Sequence, residues 1–449
     1  MTWYFPLPAV PADMQSVEDA VNKITQAKIN ATIHMKPAAF GDYTQKMNVI
    51  VASGEESDII WTSNWNFDYA QNVAKGAFIP LDDLLAKYAP DVQKSMPSFV
   101  WDATKVGGKT YGLPDYQTVT NREGFKIVKS FADKYSLDTS KIKKITDIEP
   151  FLAAVKKGEP GKIPFALDQR GVFGGMLHTF GLEGIGGLGT VNFSDPSKVT
   201  DMYETDAYKQ YLNTMHDWYT KGYINEDAAT VKNANDVIKT GNVVSVFHNV
   251  LSADAVANAK ATLGDIVLAP TTDFFASTGT IITTMQAISK TSKNPERAMM
   301  FLNLVNTDKE LYNILAYGVQ GKHYTLGADN TVQVNADAGY APNAAWVFGN
   351  TFNALLTPGK TADIVGQVEK DNESAQASPL MGFIFDVQPV SAEIASVTAV
   401  VNQYGPPLNT GTVDPAKTLP EFISQLKSAG IDKVIAEMQK QLDSWKAAK

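Results

Sequence analysis

At 449 residues, 44% of them hydrophobic and 19% charged, the chain is long enough for two large domains with substantial cores and too varied to be disordered. Its 39 Lys and Arg against 48 Asp and Glu leave a net charge of -9. That balance argues against nucleic acid, whose phosphates need cations gathered on one face, and against a surface that hugs an anionic bilayer. The absence of cysteine excludes disulfides, thiol catalysis and thiolate metal sites.

No apolar run reaches the roughly 18 to 20 residues needed to cross a bilayer. The chain opens straight on an apolar stretch, Thr2-Trp3-Tyr4-Phe5, so Met1 is expected to be an expression start. An export segment, one able to carry a lipidated cysteine, would then have been cut away. Trp3 to Phe5 reads as a strand broken by Pro6, Pro8 and Pro11, and Met14, Val17, Val21 and Ile24 recur at helical spacing through Lys28. A short β-type run at Ala31 to Met35, a helix over 43–52 and a buried strand at Asp58 to Trp61 follow. After a polar loop come a helix at Phe67 to Lys75, the segment Ala77 to Pro80 and a short helix at Leu81 to Tyr88. Such alternation of strand and helix marks an α/β layer architecture with a parallel sheet.

Further on, a helix at Asp147 to Lys157 precedes a strand at Lys162 to Leu167. Asp206 to Lys221 is helical with Tyr208, Leu212, Met215 and Tyr219 along one side, and Val243 to Phe247 and Asp265 to Leu268 are buried strands. The glycine-rich loop Gly184 to Gly189 lacks the Lys-Ser/Thr tail and the strand-to-helix context of a phosphate loop, and no cofactor is expected. Asn294 caps a helix whose first position is Pro295, which lacks a donor that would go unused there. Thr307 and Glu310 form a capping box for the next helix, which stops at Gly318. The last helix carries Ile431, Val434, Ile435, Met438, Leu442 and Trp445 on one face and is expected to dock on the protein itself.

Four segments in chain order carry a resemblance. They are Ser53-Gly54-Glu55-Glu56-Ser57-Asp58-Ile59-Ile60-Trp61 running into Gly76-Ala77-Phe78-Ile79-Pro80-Leu81, and Gly108-Lys109-Thr110-Tyr111-Gly112-Leu113-Pro114. Next are Asn294 to Leu302 with Tyr317-Gly318 and Gly321 to Tyr324, and finally the tail from Leu426 through Ala429-Gly430-Ile431-Asp432 to Trp445. Together they resemble the family-1 extracellular solute-binding proteins of ABC importers, and more narrowly the lipoprotein branch common in Gram-positive bacteria. The resemblance implies a two-lobed, periplasmic-binding-protein-like α/β fold. Each lobe would be a mainly parallel sheet flanked by helices, with hinge segments near Tyr116 to Asn121, near Ala269 to Phe275 and within 325–345. Residues 1–117 and 276–330 would form one lobe, and 118–275 and 331–449 the other. It also implies a monomer outside the cytoplasm, anchored by lipid to the outer face of the membrane. A solute held between the lobes would be handed to a membrane permease.

In open α/β sheets ligands collect beyond the carboxyl ends of the strands. That rule selects the loop after Asp58 to Trp61, with Asn64, Trp65, Asn66 and Asp68. A sugar needs paired donors and acceptors for its hydroxyls and an aromatic face for its C–H groups, which amides, carboxylates and Trp supply. The alternative is that Trp65 packs under the following helix. Trp346 to Asn350 repeats the composition, either facing the ligand from the second lobe or forming an aromatic corner of the core. His248 and Asn249 stand where the strand Val243 to Phe247 emerges, as ligand contacts or as structural residues. Gln117 and Asn121 would touch ligand or bond the hinge backbone. Arg170 and Phe173 follow the strand ending at Leu167, and Arg170 would fork onto adjacent hydroxyls or form a surface ion pair.

The expected function is therefore capture of an oligosaccharide by hinge closure, without chemistry; a peptide or other small solute is the alternative. A glycoside hydrolase would need two carboxyls about 5 to 9.5 Å apart, and no spacing singles out a pair, Asp68 and Asp115 included. The histidines His34, His178, His216, His248 and His323 form no HExxH pattern, and no G-x-S-x-G elbow occurs.

Overall fold

The computed structural model describes residues 1–260 and 262–448. In chain order its principal strands are β1 (Thr2–Leu7), β2 (His34–Ala39), β3 (Ile59–Thr62), β4 (Gly112–Pro114), β5 (Gly124–Val128), β6 (Leu182–Ile185), β7 (Gly189–Asn192), β8 (Thr200–Asp201), β9 (Ser245–His248), β10 (Ile266–Pro270) and β11 (Met285–Ile288). The helices that matter below are α1 (Met14–Ile29), α2 (Phe40–Ser53), α3 (Tyr69–Ala74), α4 (Asp206–Thr220), α5 (Pro295–Thr307), α6 (Lys309–Tyr317), α7 (Ser391–Asn409), α8 (Pro415–Ala429) and α9 (Ile431–Ala447). The chain divides into two compact units, Met1–Thr120 with Ala276–Ile384 and Asn121–Phe275 with Phe385–Lys449.

The first unit is built on a sheet in the order β2-β1-β3-β11-β4. β1 runs parallel to β2 and β3, while β11 is antiparallel to both β3 and β4. Both faces of β1 are covered: Trp3, Phe5 and Leu7 on one side and Tyr4 on the other are buried. A strand covered on both faces is apolar throughout instead of alternating. α1 buries Val17, Val21 and Ile29 on one stripe. It starts at Asp13, whose carboxylate accepts the Ser16 N–H (3.4 Å), and ends at Asn30 in the left-handed region (φ 48°). Each fully buried aliphatic side chain there contributes about 1.5–3 kcal/mol.

Two expectations shift in this unit. The cap of α6 is Asp308, whose carboxylate accepts from the Leu311 N–H at 3.0 Å, and Thr307 is instead the last residue of α5. The carboxylate also pairs with Lys28, a partner that threonine cannot hold. Residues 331–384, assigned from sequence to the other lobe, pack here, and the third passage between units falls after residue 384 and not within 325–345. The cause is aromatic packing, with the Phe348 ring edge-on to Phe5 (5.5 Å) and Trp3 (5.9 Å), and Tyr340 buried with its hydroxyl on the Leu315 carbonyl (2.6 Å).

The second unit contains two three-stranded sheets, β9-β5-β10 and β8-β7-β6. Their ladders are antiparallel, unlike the parallel pairing expected for this lobe. Lys162 to Leu167 is no strand of its own; Ile163 and Phe165 make only isolated parallel bridges to Val243 and Ile224. The glycine-rich loop is the turn of the β6-β7 hairpin. Tyr208, Tyr211, Leu212, Met215 and Trp218 of α4 are buried, and α7, α8 and α9 pack on one another with α4 against the first two. The last helix docks through Ile431, Val434, Met438 and Leu442.

Candidate ligand-binding site

In the first unit the loop leaving β3 is folded by its own hydroxyl. Ser63 Oγ accepts the Asn66 N–H (2.8 Å) and the Trp65 N–H (3.2 Å), and donates to the Asn66 carbonyl (2.9 Å). Such local side-chain bonds hold tight turns that no ladder supports. Asn64 donates from Nδ2 to the Gly279 carbonyl (3.0 Å), and the Trp65 indole N–H to the Thr283 carbonyl (2.9 Å). The Trp65 ring is thereby fixed while 54% of its surface stays open. Around it stand Phe40 (5.6 Å), Trp61 (5.7 Å) and Trp346 (6.2 Å), and Trp346 lies flat against Phe40 with 9° between the rings. Trp65 and Trp346, 281 positions apart in the numbering, thus share one shelf, in one unit and not in two.

Beneath the shelf is a buried polar network. Thr284 Oγ1 accepts the Trp61 indole N–H (2.8 Å), donates to Asp115 Oδ2 (2.7 Å) and lies 3.3 Å from the Trp346 carbonyl. Gln286 accepts from Trp3 Nε1 (2.9 Å) and donates to Asp115 (3.0 Å) and the Val347 carbonyl (2.7 Å). Burial holds the Asp115 carboxyl well above its ordinary value, against the opposing hydrogen bonds of Thr284 and Gln286.

The second unit offers cavities instead of rings. After Leu167 the chain turns at Asp168, a buried carboxylate that accepts from Arg170 Nη2 (2.6 Å), Arg170 Nε (3.2 Å), the Arg170 N–H (3.0 Å) and the Ala234 N–H (3.2 Å). Burial works against its ionisation, yet these bonds and the guanidinium outweigh it and hold the carboxyl below its ordinary value. Gly171 permits the turn at φ 64°, where a Cβ would fall 2.4 Å from the Tyr211 hydroxyl. Arg170, with 73% of its side chain exposed, borders two cavities. One, about 460 Å3, is lined also by Asn233, Asn235, His248 and Asn249. The other, about 690 Å3, is lined by Phe173, Tyr203, Tyr208, Asn402 and Asn409 among others.

A fold of two compact α/β units, an exposed tryptophan shelf and amide-lined cavities set the terms for comparison with known proteins. A family model of bacterial extracellular solute-binding proteins matches residues 19–322. The chain belongs to that family. A second model, for a domain of unknown function, matches residues 379–447. A carbohydrate ABC transporter substrate-binding protein of Streptococcus pneumoniae is 32% identical to this solute-binding protein, over 97% of this chain and 89% of the relative. The crystal structure of the N-glycan transport solute binding protein NgtS from the same organism superposes with a TM-score of 0.83 at 30% identity, covering 99% and 98% of the two chains. The NgtS complex with Man5GlcNAc gives 0.67 at 30% identity, covering 100% of this chain and 99% of that one. These relatives are solute-binding proteins of transporters, and this chain, a member of the same family, is a solute-binding protein and not an enzyme. The family is extracellular, and among the described residues no helix is long and apolar enough to cross a membrane.

The remaining sequence candidates of this solute-binding protein are engaged within the fold through side chain or main chain. Asn66 is buried, joined to Thr44 and, through Nδ2, to the Phe40 carbonyl (3.0 Å). Asp68 caps α3 by accepting the Gln71 N–H (2.8 Å), and Asn350 accepts the Phe352 N–H (3.0 Å) at the start of a short 3-10 turn. The Gln117 carbonyl accepts from Asn372 (2.7 Å), and Asn121 pairs backbone to backbone with Phe275 (2.8 and 2.9 Å). Phe173 is buried among Tyr208 (5.0 Å) and Tyr211 (5.3 Å). The ring of His248 accepts the Val250 N–H at Nδ1 (3.0 Å), which places the proton of the neutral ring on Nε2. Sequence reading missed Phe40, Asp168, Asn233, Asn235 and Asn402. Only Asp168, two residues before a candidate arginine, carried a local signal.

Proposed function

We propose that this solute-binding protein captures an oligosaccharide for the permease of an ABC importer and releases it unchanged. The observation that carries the reading is the half-open Trp65 ring fixed among Phe40, Trp61 and Trp346. A sugar ring gains both apolar contact and C–H alignment on such a face, at low cost in side-chain entropy. Asn64 and Trp346 in the first unit, and Arg170, His248 and Asn249 in the second, are the side chains proposed to meet it. Glycans of mannose and N-acetylglucosamine are the first candidates, because NgtS, 30% identical, is bound to Man1GlcNAc and Man5GlcNAc. Hinge closure of the two units on the sugar, with passages after residues 120, 275 and 384, and a lipid anchor at the native N-terminus complete the proposal.

The test is calorimetric titration with Man1GlcNAc and Man5GlcNAc beside plant, chitin and starch oligosaccharides and a peptide library. A ligand at a hundred times its Kd stabilises the fold by about 2.7 kcal/mol, so melting shifts give an independent readout. Saturable binding of a glycan, with a smaller radius of gyration in solution scattering, is the expected result. Binding of peptides alone, or release of shorter sugars on incubation, would remove the reading.

A further inference from the structure

We infer that the C-terminal segment matched by the domain of unknown function supplies a sugar subsite, built around Gly405-Pro406-Pro407 of α7 on the wall of the 690 Å3 cavity. The inference rests on the oligosaccharide reading and adds to it a place for the outer residues of a larger glycan. The volume falls within the range of about 300–1,000 Å3 usual for small-ligand sites.

Helical structure continues through both prolines. Neither has an N–H, so the carbonyls of Asn402 and Gln403, four residues earlier, lose their helical donors. Proline inside a helix costs about 3 kcal/mol, so two in succession are a poor choice for a segment whose task is only to pack. Pro406 lines the cavity, and a carbonyl oxygen without its helical donor takes a hydroxyl donor where one reaches it. Asn402 borders the cavity and is exposed.

The same cavity wall carries a donor, Asn409. The Tyr208 hydroxyl donates to Asn409 Oδ1 (2.8 Å) and the Tyr211 hydroxyl to the Asn409 carbonyl (2.6 Å), which fixes the amide with Nδ2 turned toward Gly405. A Cβ built on Gly405 would lie 3.5 Å from that Nδ2 and 3.7 Å from Val401 Cγ1, ordinary contacts with two cavity-lining side chains. Gly405 is buried on this wall, and a Cβ there meets only these two cavity-lining side chains, so a larger residue at 405 would crowd the cavity. The fixed Asn409 amide donor and the exposed Asn402 amide, which both donates and accepts, match neighbouring hydroxyls of a sugar. The nearby guanidinium of Arg170 is already occupied by Asp168, so the cavity suits a neutral, hydroxyl-rich group over an anion.

The whole chain and its Gly405→Leu, Gly405→Ala and Asn402→Ala variants would be titrated with Man1GlcNAc and Man5GlcNAc. Leucine at 405 should weaken Man5GlcNAc binding by roughly ten-fold or more, and Asn402→Ala by a smaller factor, while Man1GlcNAc binding stays within about two-fold. Should Gly405→Leu fail to fold, the alanine variant, which adds one methyl in ordinary contact, gives the same ordering of the two glycans. Equal affinities of wild type and variants for both glycans, or equal weakening of both, would overturn the subsite and leave the oligosaccharide reading standing. Binding of neither glycan to the wild type would remove the reading itself and the subsite with it.

Discussion

In the first unit the candidate ligand surface is made of rings standing at the end of a sheet, whereas in the second it is made of turns and helix ends round cavities. The two differ in what holds them. Trp65 needs only the Thr283 carbonyl and three neighbouring rings, and its own solvent-facing surface takes no part in the fold. Arg170 is placed by a buried carboxylate, and the surrounding turns hang on the same group. A truncation on the shelf should therefore cost affinity with little stability, while one among the polar groups of the second unit should cost both.

The sharpest break of that contrast is Trp65→Ala. Removing a central aromatic anchor costs about 2–3 kcal/mol, so glycan affinity should fall on the order of 50- to 100-fold with only a small change in Tm. Trp346→Ala should lose as much affinity but more stability, because its ring lies flat on Phe40. Wild-type affinity in Trp65→Ala would mean that the shelf is not a ligand surface.

Glu123 shows the opposite behaviour in the second unit. Its buried carboxylate accepts from the Thr179 N–H and hydroxyl (both 2.7 Å) and the His178 N–H (3.1 Å). Burial pushes it up to about 7 from 4.5, with those donors opposing. A raised carboxyl is penalised when it ionises, so folding stability should fall as pH rises from about 4.5 to 7 and level off above. The difference between wild type and Glu123→Gln across that window should be on the order of 2 kcal/mol, read from urea midpoints. A wild type as flat as the variant would show that the carboxylate is not desolvated.

Arg170→Lys is milder. Lysine cannot fork onto Asp168, so about 1 kcal/mol of stability and roughly ten-fold in glycan affinity should go together. Loss of affinity alone would place Arg170 with the shelf residues in kind.

Much of this was legible in the sequence, and the parts that were not share a cause. The strands of the first unit, the helix boundaries at Asn294 and Gly318, and the aromatic-plus-amide composition around Trp65 and Trp346 are local signals that survive folding, although the Asn294 side chain makes no capping bond. Which unit holds Trp346 depends on Phe40 and Trp61, and no spacing encodes a contact across hundreds of residues. Asp68 and Asn350 also stand just ahead of helical turns, where a short polar residue caps the turn, and both do so. The antiparallel β9-β5-β10 ladder was hidden because buried strands of either sense show the same apolar run.

The smallest effect tests whether the shelf is independent of the charge beneath it. Asp115 lies buried in the first unit with Thr284 and Gln286 as partners, and burial holds it above its ordinary 3.8. The unfolded carboxyl ionises above 3.8 while the folded one resists, so this group favours folding most at and below that pH and progressively less as pH rises. Asparagine has the same shape and no charge, and its oxygen, in the place of Asp115 Oδ2, accepts from both Thr284 and Gln286. Thr284 then still accepts from the Trp61 indole. Asp115→Asn should accordingly flatten the pH dependence, alter stability at pH 7 by under about 1 kcal/mol, and leave glycan affinity unchanged. Thr284→Val, by contrast, strands the Trp61 indole N–H without an acceptor and should cost about 1–3 kcal/mol. If Asp115→Asn lowered affinity while the Tm held, the rings of the first unit would depend on a buried charge for their position, and the contrast between the two units would fail.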